Sequence, residues 1–161
     1  MNGSNPTQAA VRAMTEIVAI SATCQQVFDA LITPSAISTW WQANRAIVFP
    51  EQNGIWVASW GDDIDDPDYL TAARMTQFDP PNRIVMSDYN YRSKFGELPF
   101  QASFVTTFDI TATDEGCTLR VSQSGFPLDP VADNFYRGCC IGWQTSLKQL
   151  RDFVLDAKNQ L

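Results

Sequence analysis

The sequence contains no histidine. That absence excludes Ser-His and Cys-His nucleophilic catalysis and every histidine-ligated metal site. Positive charge is scarce too: Lys and Arg total 11 against 18 Asp and Glu, for a net charge of −7. Nucleic acid and anionic membrane both bind basic surfaces, so neither is an expected partner. No apolar run approaches the ~20 residues of a membrane-spanning helix. The four cysteines, Cys24, Cys117, Cys139 and Cys140, form no CxxC pair. With no histidine base beside them they read as small buried hydrophobes in a reducing compartment, not as nucleophiles. The first residues lack the basic head and apolar middle of a secretory signal, which predicts a cytoplasmic location. No cofactor motif is present.

What is present suits one globular domain. The chain has 161 residues, 45% of them hydrophobic and 18% charged, enough for a single core. Residues 1–12 are polar, with Gly3 and Pro6, and read as a flexible tail. Residues 13–161 read as one domain. Its organising element is a long amphipathic helix over roughly 131–158. Tyr136, Cys139, Cys140, Trp143, Leu147, Leu150 and Val154 recur at steps of three or four and form one stripe. Arg137, Gln144, Lys148 and Arg151 take the opposite side. Gly138 and Gly142 each cost such a helix roughly 1 kcal/mol relative to Ala. A close neighbour or a bend is therefore expected there.

Upstream, Glu16–Ser21 alternates as a first strand. Thr23 is placed to cap a helix with Val27, Phe28, Leu31 and Ile32 on its apolar face. Thr33-Pro34 ends that helix, and Pro34 can open a second carrying Ile37, Trp40 and Trp41. From residue 46 the period changes to two. Strands are expected at 47–49, 55–60, 69–78, 84–89, 100–110 and 118–125, with Asn53-Gly54 and Thr113–Gly116 as turns. Ile84, Met86 and Asp88 should share one face. The short connections predict antiparallel neighbours, and the long helix must cover the dry face of their sheet. The acidic loop Asp62–Asp68 lacks the glycine and distal Glu of a calcium loop and reads as solvated.

Several short segments, in order and spacing, resemble the helix-grip fold of the START/SRPBCC (Bet v-type) superfamily. They are similar in particular to small single-domain members of the family named for the activator of the heat-shock protein 90 ATPase. The segments are Val27–Leu31 with Thr33-Pro34, Trp40-Trp41, Asn53–Trp56, Phe78–Pro81 with Ile84, Gly116–Leu119, Ser124–Phe126, and Gly142-Trp143 with Leu147 and Leu150. One departure is Ser122-Gln123-Ser124, where members often carry a histidine. The resemblance implies an α+β fold: a curved antiparallel sheet of six or seven strands around a C-terminal helix, two short helices after the first strand, and an elongated cavity between sheet and helix.

The residues expected to wall that cavity are Trp56, Trp60, Met86, Phe104, Phe108, Leu119, Val121, Tyr136, Cys139, Cys140 and Trp143. A plain packed core is the competing reading for the same set. Gln123, Asp88 and Arg74 are expected to add polar groups, with Arg74 neutralising an inward Asp88, since an unpaired buried carboxylate is costly. The function this implies is binding of a small, largely apolar or amphipathic molecule. Two alternatives stay open: a cyclase, dehydratase or hydrolase using Asp88, Tyr89, Arg74 and Tyr136, and a co-chaperone role suggested by the family name. A homodimer also stays open.

Overall fold

The computed structural model describes residues 10–159; the remainder of the expected N-terminal tail, and residues 160–161, lie outside them. Strand β1 (Val11–Ile20) leads into α1 (Cys24–Ile32) and α2 (Pro34–Trp40). Six strands follow: β2 (Arg45–Val48), β3 (Ile55–Trp60), β4 (Tyr69–Asp79), β5 (Arg83–Ser93), β6 (Val105–Thr113) and β7 (Gly116–Pro127). A short 3-10 turn over Pro130–Ala132 then opens α3 (Asp133–Asn159). Local chemistry sets these boundaries. The Thr23 side chain accepts from Gln26 N–H, and the Gln26 side chain accepts from Thr23 N–H, a reciprocal capping box. Pro34 stands at the first turn of α2, where its missing N–H costs nothing.

The strands form one antiparallel sheet in the order β1-β7-β6-β5-β4-β3-β2. Its buried face carries Trp56, Met75, Ile84, Met86, Phe108, Leu119 and Val121. Against it lie Val27, Phe28 and Leu31 of α1, Ile37 of α2, and Trp143, Leu147, Leu150 and Val154 of α3. The stripe read from the helix period is thus the buried one over its second half. Among the described residues no helix is long and apolar enough to cross a membrane.

Four expectations are corrected. First, β1 begins at Val11, so Val11 and Arg12 belong to the sheet and not to a tail. Arg12 Nη2 meets Asp133 Oδ1 at 2.5 Å, which ties this end to α3. Second, β5 does not stop at Tyr89. An extra residue, Asp88, sits at φ +55° between the pairs Arg74↔Ser87 and Ala72↔Asn90, and the strand runs on to Ser93. Third, residues 100–104 alternate like a strand but are not one. Pairing of β5 with β6 ends at Met86↔Thr106, so that segment has no partner on the β5 side. Fourth, of the close neighbour or bend expected at Gly138 and Gly142, the close neighbour is ruled out; a Cβ at either would meet open space.

Candidate functional site

The centre of the helix–sheet interface is occupied by rings. Trp41, at the C-terminal end of α2, stacks on Trp40 at 4.8 Å and 9°. It also meets Trp56 at 5.7 Å, Trp60 at 5.3 Å and Trp143 at 5.3 Å. Phe108 adds an edge contact to Trp143 at 5.8 Å. Each indole N–H here, save that of Trp41, has an acceptor: Trp40 to Ala30 O, Trp56 to Leu31 O, Trp60 to Trp41 O and Trp143 to Gln123 Oε1. A buried tryptophan keeps its apolar body and its polar handle satisfied only in such an arrangement. Five of the expected wall residues, Trp56, Trp60, Phe108, Gln123 and Trp143, are therefore brought together. They close around Trp41, which was expected on the second helix and in the Trp40-Trp41 pair but not among the wall residues.

Open space lies to one side of this cluster. After Met86, β5 diverges from β6, and the loop 94–104 crosses the gap. The result is a cleft of about 1400 Å³, bounded by the ends of β5 and β7 and by that loop. Tyr89, Tyr91, Leu98, Phe100 and Phe104 supply its apolar lining, and Arg92, Gln101, Ser103 and Ser124 its polar groups. Behind it stands Phe135 of α3. Its ring lies 5.6 Å from Phe100, 5.6 Å from Phe104, 6.0 Å from Tyr91 and 6.2 Å from Phe126. Of the residues expected to wall a cavity, only Phe104 lines this cleft. Tyr91, Phe100 and Phe135 were missed. Tyr91 lay beyond the expected end of its strand, and Phe135 sits one residue off the helical stripe.

The two strands of the cleft are shaped by glycine and by the bulge. Gly125 has φ +95°, and a Cβ there would fall 2.2 Å from the Ser103 carbonyl oxygen. The loop can lie against β7 only because that position has no side chain. At Asp88 the extra residue reverses the alternation, so Tyr89 and Tyr91 turn inward where Asp88 was expected to do so. Tyr89 donates to Thr106 Oγ1 at 2.6 Å. Burial raises the Tyr89 hydroxyl well above the usual range, the Thr106 contact opposing it only in part. It is a hydrogen-bond donor here and not a base at neutral pH.

The expected buried Asp88–Arg74 pair is overturned. Both side chains are exposed, 72% and 49%, and approach only to 3.9 Å. Arg74 instead donates from Nη1 to the Asn53 carbonyl at 2.7 Å. A surface pair of this kind contributes little, ~0–1 kcal/mol. Met86, Leu119 and Val121 are buried in the core. Tyr136 stands apart from the tryptophans. Its hydroxyl donates to Ala13 O at 3.1 Å, and the Arg12 guanidinium covers its ring at 4.1 Å. Cys139 and Cys140 are half-buried. Burial, reinforced by Cys140, pushes the Cys139 thiol up to about 12. The acidic loop is held by Lys94, which meets Asp68 at 2.7 Å and Asp66 at 3.9 Å. No cluster of metal-ligating side chains occurs among the described residues.

Comparison with known proteins agrees with this architecture. The family model described as Activator of Hsp90 ATPase homolog 1-like protein matches residues 21–154. No curated protein sequence matches the chain. Among solved structures, a protein from Mesorhizobium loti is 23% identical, with TM-score 0.72 over 91% of this chain and 98% of that one. A protein from Rhizobium leguminosarum is 21% identical, with TM-score 0.74 over 92% and 97%. A protein of unknown function from Staphylococcus aureus reaches TM-score 0.75 over 96% and 99% at 5% identity. At these identities the structures show a shared fold.

Proposed function

The chain belongs to the family of Activator of Hsp90 ATPase homolog 1-like proteins, and from that premise we propose that it binds a small, largely apolar molecule between its sheet and its C-terminal helix. Entry is through the cleft beside the divergence of β5 and β6. The observation that carries this reading is continuity. Phe104 lines the cleft and also packs on Phe126 at 5.1 Å and Phe135 at 5.6 Å. A ligand seated at the cleft thus meets the same rings that support α3. The volume of about 1400 Å³ suits a drug-sized or larger molecule, since binding pockets span roughly 300–1,000 Å³. Polar groups at the rim, Arg92, Gln101 and Ser124, favour an amphipathic ligand with one polar end. Trp56, Trp60 and Trp143, expected as walls, form the packed floor in this reading.

The test is a thermal-shift screen with lipids, aromatic acids and polyketide-like compounds, followed by NMR mapping of any hit. Amide shifts should concentrate in residues 89–104 and 124–127, and Phe104→Ala should weaken binding at least tenfold. Silence across the screen, or shifts centred on α1 and α2, would sink the proposal.

A further inference from the structure

Residues 100–104 alternate like a strand yet pair with nothing on the β5 side, and β5 leaves a matching length of edge open. Among the described residues its ladder to β6 ends at Met86↔Thr106, although β5 runs on to Ser93. An edge of this kind presents main-chain N–H and C=O groups ready for a partner. One further step of the same register would set Ser87 opposite Val105. The step after that is decided by the bulge. Asp88 is the extra residue on the β4 side, and skipping it sets Tyr89 opposite Phe104, Tyr91 opposite Ala102 and Ser93 opposite Phe100. Directly opposed residues share a face of the sheet, and the rings already obey that pairing. Tyr89 and Phe104 meet edge-on at 6.5 Å. Tyr91, Phe100 and Phe104 all rest on Phe135, at 6.0, 5.6 and 5.6 Å. Without the bulge, Tyr89 would oppose Ser103 and Tyr91 would oppose Gln101, setting inward rings against exposed residues. The turn agrees as well. Carried to its end, the bulged register leaves Gly96-Glu97 as a two-residue loop, and a type II′ hairpin turn requires glycine at the first of those positions. Gly96 has φ +129°, and a Cβ on it would meet nothing within 4 Å. Pro99, which has no N–H to donate, falls opposite Lys94 beside the turn, where a strand end tolerates it.

We propose that the β5–β6 hairpin is a zipper: residues 89–95 pair with 98–104 in the bulged register and so close the cleft over its occupant. The structure holds the open state. There the Ser103 carbonyl lies against Gly125, so the loop follows β7 while the end of β5 stands away from it. The inner rings are already gathered on Phe135, so closure moves main chain and leaves the apolar lining in place. A bound molecule favours the closed state only through contacts it gains there, and Tyr91 and Phe100, one from each side of the gap, supply them. Closure over a ligand rests on the reading of the cleft as the binding site; the pairing itself does not.

The experiment traps the pairing with a disulfide in the full chain. Opposed residues of an antiparallel pair stand ~4.5–5.5 Å apart, within reach of such a bond. Arg92→Cys/Gln101→Cys sets two thiols opposite one another in the bulged register, whereas Arg92→Cys/Ala102→Cys is one residue out and sets them on opposite faces. Under diamide, with the products mapped as peptides, the first variant should cross-link roughly tenfold faster than the second. The fluorescence of anilinonaphthalene sulfonate, an amphipathic aromatic anion, then reads closure. Cross-linking the first variant with this probe bound should slow its release roughly tenfold, and dithiothreitol should restore it. Hydrogen exchange reads the same event on the unaltered chain. The bound probe should slow every second amide over residues 89–93, those that face the cleft, since a ladder protects alternate residues on each edge. Equal cross-linking of the two variants, or slowed exchange without that alternation, would overturn the zipper. In-register cross-linking with unchanged probe release would support the pairing and refute the cleft as the binding site. Probe binding without in-register cross-linking would refute the zipper and leave the binding site standing.

Discussion

Removal of the Trp41 side chain separates a packed interior from a hollow one. In the structure its ring touches four other indoles, at 4.8, 5.7, 5.3 and 5.3 Å. The residue is half-buried. A buried aromatic removes ~200 Å² from water, so about two-thirds of that, at ~25 cal/mol per Å², contributes about 3 kcal/mol. Ring–ring geometry adds ~0.5–1.5 kcal/mol per good pair, and four pairs sharing one ring are not additive. Trp41→Ala should therefore cost about 3–4 kcal/mol, within the usual range for truncating a large core aromatic. For a chain of this size that lowers the melting temperature by about 10 °C. Urea unfolding followed by fluorescence and by circular dichroism would measure it, and loss of the parallel Trp40–Trp41 stack should also change the aromatic dichroism. Trp41→Phe should retain most of the stability. A loss below about 1 kcal/mol for the alanine variant would mean that the ring does not fill the interface, and the description of a closed tryptophan cluster would be wrong.

Gly138→Ala and Gly142→Ala, together, should stabilise the protein by about 1–2 kcal/mol, since both sites face open space inside a helix; a destabilisation in denaturant titration would reveal a hidden close contact. Gly125→Ala should do the opposite, costing 2 kcal/mol or more on the order of other strained-backbone substitutions, because its Cβ would strike the Ser103 carbonyl at 2.2 Å. Amide shifts in residues 100–104 would report the displaced loop. Thr23→Ala should cost about 1 kcal/mol in chemical unfolding through loss of the α1 cap. Alkaline pH should also weaken the fold. Burial pushes the Cys117 thiol from its usual 9.0 to about 11. The unfolded thiol thus ionises first, and the stability tied to the protonated form is complete below pH 9 and lost as pH rises toward 11. Cys117→Ala should flatten the urea-midpoint curve over that window.

Much of the fold was legible because local chemistry and hydrophobic period agreed. Thr23, Pro34, Asn53-Gly54 and Gly116 each punctuate the chain where a cap or turn physically requires them, and the stripe Trp143–Leu147–Leu150–Val154 is the buried one. The errors share a cause. Period-two reading carries a phase, and a single bulge inverts it. Asp88 tolerates a left-handed backbone better than most residues, but nothing adjacent announces that it will adopt one. Once it does, Asp88 turns to solvent and Tyr89 and Tyr91 turn in. The same divergence strips residues 100–104 of a strand partner while leaving their alternation intact. Trp41 was expected on the second helix but stands one residue past its end as the cap, and which rings surround it depends on contacts from β3 and α3 that no local pattern encodes. The two helical glycines suggested a close neighbour or a bend, whereas a Cβ at either would meet open space.

Strand order carries one more implication, for biosynthesis. Among the described residues β1 has β7 as its sole neighbour in the sheet, and Val11 pairs with Pro127. A nascent chain leaves the ribosome amino end first, at roughly 5–20 residues per second. The opening strand therefore waits several seconds, bearing Met14, Val18 and Ile20, before its mate has been translated. A ribosome stalled anywhere before β7 has been made holds an intermediate with that apolar edge unclaimed, and such an edge is what chaperones recognise and what aggregates recruit.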